Sequence, residues 1–287
     1  MERRSDASNR LSPVASLVRR HDRDRFQTAL FAPAERREAL FALYAFNFEI
    51  ARVRERVGEP ALGRIRLQWW RETIAAAFAG RPPERHEVAA PLFAAIRAYG
   101  LGRGHFERLI DAREQDLEDA PPASLAALEA YAEGSSAPLV QLALEVLGVR
   151  EDAALAVGRR VGIGYALAGL IRAMPFRARV GRPLIPADIA RESGLDERDW
   201  RALRTTPAVR AATAALARAA AHHLAVARAA RAAVPRRALP ALLPAIIATR
   251  ALGRLARAQY DPFDPRLVMP DALQIWRLAR AAVLGRY

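Results

Sequence analysis

The stretch from Leu40 to Ile50 is apolar almost all round. A helix of that kind has no wet face and must be buried on most sides. The rest of the chain therefore has to supply enough elements to surround it. Asn47 and Glu49 interrupt the apolar run. Polar groups in such a place need partners or a cavity, so this helix is read as a candidate pocket wall.

The surrounding elements also read as helices. One is expected from about His21, broken at Pro33, and a long one from Ala34 to Glu55. Gly58 and Pro60 mark a turn. Ala61 to Ala79 then resumes helical spacing, with Leu62, Ile65, Trp69 and Ile74 near one face. Pro91 to Tyr99 and His105 to Asp116 follow, separated by Gly100 to Gly104. Ser124 has the character of an N-cap, and Glu133 to Pro138 is a place where that next helix kinks or ends. Glu151 to Ala173 carries Gly158, Gly162, Gly164 and Gly169, a pattern that implies close approach by another backbone or a ligand. Pro175 to Pro186 reads as a basic loop, and helices resume near Asp188, Pro207, Ala238 and Asp271. No alternating strand pattern and no solenoid period is found. The expectation is an all-α chain: a flexible tail over 1–15 and one helical domain over 16–287.

Composition agrees and excludes some functions. Apolar residues make up 52% of the chain, enough for a sizeable core. Cysteine is absent, which rules out a disulfide framework and a thiolate metal site. All 45 basic residues are arginine, and the net charge is +14. A genome that prefers arginine codons accounts for this; so does an anionic partner such as membrane lipid, nucleic acid or a diphosphate. No recognition-helix motif is present and aromatics do not interleave with the arginines, so nucleic acid is not expected as a partner. Met1 to Arg20 is polar and does not read as a secretory signal. No continuous apolar run approaches the roughly 20 residues of a bilayer span.

The five histidines do not group on paper and read as structural or solvent-facing. Asp111, Glu114, Asp116, Glu118 and Asp119 are either a solvated face pairing with Arg113 and Arg108 or one wall of a cation or diphosphate site. Two carboxylates one helical turn apart would share a Mg²⁺ ion, but of positions 51 and 55 only Glu55 is acidic; position 51 is Ala51. Gly164 to Asp188 joins a small-residue helix to a loop bearing Arg172, Arg177, Arg179 and Arg182, which together can gather an anion.

That last stretch resembles a signature of the squalene/phytoene synthase family. Leu167, Arg172, Gly181, Arg182, Pro186 and Asp188 stand in register with L-T-N-I-L-R-D-x-x-x-D-x-x-x-G-R-x-x-L-P-x-D. Ala45-Phe46-Asn47-Phe48 through Glu55 is similar to the family's first aspartate-rich motif. Leu67, Trp69, Arg71 and Glu72 resemble its L-x-x-W-R-x-E helix, and Leu109 to Leu117, with Asp116, a further acidic helix. Tyr131 matches the start of a Y-C-x-Y-V-A-G segment. The resemblance spans about residues 20–280. It implies an isoprenoid (terpenoid) synthase fold, a single helical bundle around a central cavity. Active members join two prenyl diphosphates head to head, using Mg²⁺ held by two aspartate-rich motifs.

The departures fall on those motifs. In register, the acids of the first motif become Ala51, Arg52 and Glu55, and both aspartates of the second become Ala173 and Arg177. Arginine in place of a carboxylate repels a metal and instead suits a phosphate or an acidic partner. Ala45 to Ala51, Ile65 to Trp70, Asp111 to Glu114, Tyr131 to Glu133 and Leu144 to Gly148 further resemble a non-catalytic branch, the complex I assembly factors with a phytoene synthase domain. The resemblance implies a catalytically silent protein, cytoplasmic and peripheral at the inner membrane. Its implied partners are complex I subunits or other assembly proteins and the anionic membrane surface. The alternatives are an active Mg²⁺-dependent prenyltransferase and a non-catalytic binder of prenyl diphosphate or lipid. Candidate substrate-binding residues are Glu55, Asp116, Arg172, Arg177 and Arg182; no catalytic or metal-ligating residue is assigned. No cofactor is expected, with Mg²⁺ reserved for the transferase alternative.

Overall fold

Ser12 opens the first helix: its hydroxyl accepts the Ala15 N–H at 3.1 Å, and Pro13 occupies a position where no donor is needed. The computed structural model describes residues 11–182 and 184–287. Helix α1 (Pro13–His21) thus begins inside the stretch read as a tail, while residues 1–10 of that tail lie outside the described residues. Asp22 caps α2 (Arg23–Ala29) by accepting the Arg25 N–H at 3.1 Å.

Helix α3 (Ala34–Ala51) is the all-round apolar element, buried without interruption from Ala39 to Asn47. After α4 (Val53–Arg56) comes α5 (Pro60–Phe78), where the expected face is corrected. Leu62, Ile65 and Trp69 are exposed, and the helix is instead buried along Gly63, Leu67, Trp70, Ile74 and Ala77. Both stripes have helical spacing. Gly63 decides between them, because its missing Cβ lets the backbone sit directly on the Leu117 side chain. Helices α6 (Ala89–Tyr99) and α7 (Arg103–Glu114) are joined through Gly100, whose φ of +57° suits glycine.

Ser124 caps α8 (Leu125–Val146) as expected, but the helix neither ends nor breaks at Pro138. Residues 135–140 are all buried, and that packing holds the helix across the missing proline donor. Helix α9 (Asp152–Arg172) lies at the centre, packed against α8 and the later helices. A Cβ on Gly162 would fall 2.6 Å from the Ala137 Cα of α8, so these two backbones touch. Gly169 has open space beside it and lines a cavity.

The basic loop is partly helical, α10 (Met174–Arg179), followed by α11 (Ala187–Ser193) and α12 (Glu197–Arg201). The chain closes with α13 (Pro207–Ala229), α14 (Leu239–Leu242), α15 (Pro244–Arg257) and α16 (Gln274–Val283). Among the described residues there is no strand. The all-α expectation holds, with the helices arranged around internal cavities.

Helix α9 is also long and apolar enough to cross a membrane, contrary to the expectation that no segment approaches a bilayer span. Of its most apolar 18-residue window 56% is buried against its neighbours, and core helices of soluble proteins share that character. The helical pair at 236–242 and 244–257 passes the same test together, with a 46° bend between its halves.

Candidate functional site

A cavity of about 700 Å³ lies between the α1–α2 junction, α3, α8, α9 and the segment leading into α16. Its charged lining comes largely from the short run His21-Asp22-Arg23-Asp24-Arg25. Asp24 accepts from Arg172 at 3.0 Å and from Gln274 at 2.9 Å. Burial alone would raise its pKa, but the Arg172 charge and these hydrogen bonds outweigh it and hold the carboxyl below its ordinary range. Arg25 is mostly buried, donates to Asp22 at 2.7 Å and lies 4.9 Å over the Tyr165 ring. Burial pushes the Tyr165 and Tyr44 hydroxyls up, so both stay protonated donors.

Besides Arg113 Nε, two groups lining this cavity have no protein partner among the described residues. Asn47 Oδ1 and Ser136 Oγ are buried and unpaired, and both residues line the cavity. Buried polar atoms are normally satisfied, so these two atoms keep hydrogen-bonding capacity directed at the cavity. The pocket-lining role read for Asn47 is therefore correct. Glu49 instead turns to Arg56, at 2.7 Å.

A second cavity of about 350 Å³ adjoins the first. It brings together Glu55, Asp116, Arg177 and Arg182, four of the five candidate residues; Arg172 stands apart in the larger cavity. Arg177 and Arg182 meet because the chain reverses at Gly181 (φ +66°) and the Arg182 N–H donates to the Arg177 carbonyl at 2.9 Å. Between the cavities stands a knot of three side chains. The Tyr131 hydroxyl donates to Asp116 at 2.8 Å and accepts from Arg113 at 2.9 Å, while Arg113 reaches Asp116 at 3.2 Å. Burial pushes the Tyr131 hydroxyl up to about 12. Arg113 and Tyr131 line both cavities. Arg54 Nε and Arg113 Nε also lack partners, so each retains a donor for an anion.

The acids are committed elsewhere. Glu55 accepts from Arg52 at 3.2 Å, Glu114 from Arg71 at 2.7 Å and Asp119 from Arg54 at 3.0 Å; Asp111 also pairs with Arg71. The acidic cluster is thus mostly a paired face. Its main partners are Arg71 and Arg54 as well as Arg113, while Arg108 bonds His105 and Gln141 instead. Among the described residues no three His, Asp or Glu side chains come together as a metal-binding group. Mg²⁺ takes oxygen ligands that include carboxylates. Asp116, already bound by Arg113 and Tyr131, and Glu55, turned to Arg52, do not form such a set.

The histidines have ordinary tasks. His86 accepts the Val88 and Ala89 N–H groups at 3.2 Å, and His223 meets Glu129 at 2.9 Å. His21 stacks on Phe48 at 4.5 Å and, unlike the expectation, touches the larger cavity. Sequence reasoning missed Asp22, Asp24, Arg25, Tyr165, Ser136 and Gln274. The alternating charges of residues 21–25 were the one local signal, and they look like any exposed charged turn.

Residues 18–274 match the family model described as squalene/phytoene synthase. The chain is 30% identical over 268 residues to NADH dehydrogenase (ubiquinone) complex I, assembly factor 6, of Homo sapiens, covering 91% of this chain and 80% of that protein. It is 28% identical over 195 residues to a presqualene diphosphate synthase of Rhodopseudomonas palustris, covering 67% of this chain and 68% of that one. The crystal structure of squalene synthase HpnC from Alicyclobacillus acidocaldarius superposes with a TM-score of 0.76 at 23% identity, covering 86% of this chain and 93% of that one, which shows the isoprenoid synthase fold.

Proposed function

This chain belongs to the squalene/phytoene synthase family, and we propose that it serves in assembly of respiratory complex I (NADH:quinone oxidoreductase), peripheral at the inner membrane, without prenyl transfer. The observation that carries the reading is the likeness to the human assembly factor over 91% of the chain. The site supports it: Ala51, Arg52, Ala173 and Arg177 stand where the family's metal-binding acids are expected, and Glu55 and Asp116 are bound to arginines. Each arginine in place of an acid inverts the local charge and opposes a divalent cation. The partners proposed are complex I subunits or other assembly proteins, together with an anionic membrane surface.

Deleting the gene and measuring assembled complex I tests the reading. Reduced complex I, restored by the wild-type gene, is expected; normal complex I sinks it. Purified protein with Mg²⁺ and farnesyl or geranylgeranyl diphosphate is expected to yield no condensation product. A product would establish the rival reading, an active prenyltransferase, which the 28% identity to presqualene diphosphate synthase favours.

A third reading is a silent binder. The larger cavity persists at about 700 Å³, and Asn47 Oδ1 and Ser136 Oγ stand free inside it. Calorimetry with a non-hydrolysable prenyl diphosphate tests it, and absence of heat counts against it.

A further inference from the structure

Helix α16 is anchored by one side and bare on the other. Leu278 and Ala281 pack on Leu243 and Ile247, while Leu273 just before it, Trp276, Val283 and Leu284 just after it are exposed. Trp276 is 72% exposed and Val283 74%. Leu273, Trp276, Arg280, Val283 and Leu284 fall within an arc of about 100° on an ideal α-helix. A few residues upstream, Val268 and Met269 are also exposed, at 69% and 61%, and both lie at the rim of the larger cavity.

The charges around this stripe are of one sign. Residues 265–287 contain four arginines and a single acid, Asp271. Asp271 is already held by Arg250 at 3.1 Å and by Arg277. Arg280 and Arg286 make no ion pair among the described residues. Arg236 donates to the Val283 carbonyl at 2.9 Å, and Arg254 to the Met269 carbonyl at 2.9 Å, placing two further guanidinium groups beside the apolar side chains. A short amphipathic helix with tryptophan on its apolar side and arginine around it matches the chemistry of an anionic lipid interface.

We propose that the stripe Leu273, Trp276, Val283 and Leu284, with Arg280 and Arg286, is the surface by which this protein docks on an anionic phospholipid bilayer. The proposal rests on the peripheral membrane placement proposed above and names the face responsible. Docked this way, Val268 and Met269 bring the rim of the larger cavity to the lipid side of the molecule. An apolar-tailed molecule then reaches the cavity without crossing water.

The test is flotation of the purified full chain with vesicles of phosphatidylcholine alone or in equal mixture with phosphatidylglycerol. Wild type is expected to float with the anionic vesicles, to bind phosphatidylcholine weakly, and to be released by high salt. The triple variant L273E/W276E/V283E and the double variant R280E/R286E are each expected to bind at least about tenfold more weakly. The variant I65E, at an exposed apolar residue on α5, is expected to bind like wild type. Thermal melts check that the variants are folded, and the arginine pair keeps the test open if the triple variant is not. Wild-type-like binding by either folded patch variant overturns the proposal. So does equal binding to both vesicle types, or a wild-type dimer that the triple variant dissolves while its vesicle binding persists. Complex I levels in the deletion strain decide the assembly reading separately, so vesicle binding and assembly can fail independently.

Discussion

Asp188 holds the start of a helix more than sixty residues away in the chain: both its carboxylate oxygens accept the Leu125 N–H, at 3.0 and 3.1 Å. It also accepts the Ile189 N–H at 2.7 Å, and the Ala187 N–H donates to the Pro122 carbonyl at 2.9 Å. The end of the L-I-P-A-D run is thus a clasp between the arginine-bearing segment and α8. The D188A variant is expected to lose about 1–2 kcal/mol of stability, as for a deleted helix cap. D188N, which retains one acceptor, is expected to lose less. Denaturant unfolding of the three proteins checks the order, and equal stabilities contradict the clasp.

Two glycines of α9 should respond oppositely to the same change. In G162A the new Cβ meets the Ala137 Cα at 2.6 Å, and backbone cannot swing away as a side chain does. A loss of about 1–3 kcal/mol is expected from overpacking. In G169A nothing lies within 4 Å, and the helix gains about 0.5–1 kcal/mol from reduced chain entropy. Thermal melts distinguish them; a destabilised G169A would mean that its apparent space is not free.

The Asp24–Arg172 pair predicts a response to acid. Burial raises the Asp24 pKa, but Arg172 and Gln274 bring it below its ordinary value of 3.8. Below that value the unfolded chain binds more protons than the folded one, so stability rises with pH there. The contribution is complete above about pH 3.8 and is lost as pH falls through the lower folded value. R172Q removes the main charge holding the pKa down and is expected to move the acid-unfolding midpoint upward. An acid titration by circular dichroism measures this, and coincident midpoints refute the pairing.

Tyr131 joins Arg113 to Asp116, and its loss should be felt as structure. Y131F deletes one hydroxyl that both donates and accepts, and is expected to lower stability by about 1–2 kcal/mol. D116N leaves the buried Arg113 without its carboxylate and is expected to lose more, about 2–4 kcal/mol. Denaturant midpoints decide, and a D116N variant as stable as wild type would show that Arg113 does not depend on the acid.

The sequence disclosed some of this and hid the rest for physical reasons. Leu40 to Ile50 had no polar face, so its burial could only be read one way. Helix α5 offered two helical stripes of equal quality, and the choice between them lay in Gly63 meeting Leu117, a contact between residues far apart in the chain. That Glu55, Asp116, Arg177 and Arg182 belong to one region was legible from their register, and they line the second cavity. The wall of the larger cavity was not: Asp22, Asp24 and Arg25 become a buried network only when Tyr165 and Arg172 of α9 arrive beside them. The helix does not end at Pro138 for a similar reason, since the burial that holds α8 together around it is supplied by other helices.

Arg113 and Tyr131 face both cavities, so the partition between them is a single layer of side chains thick. The interior is therefore divided by two side chains and not by a helix.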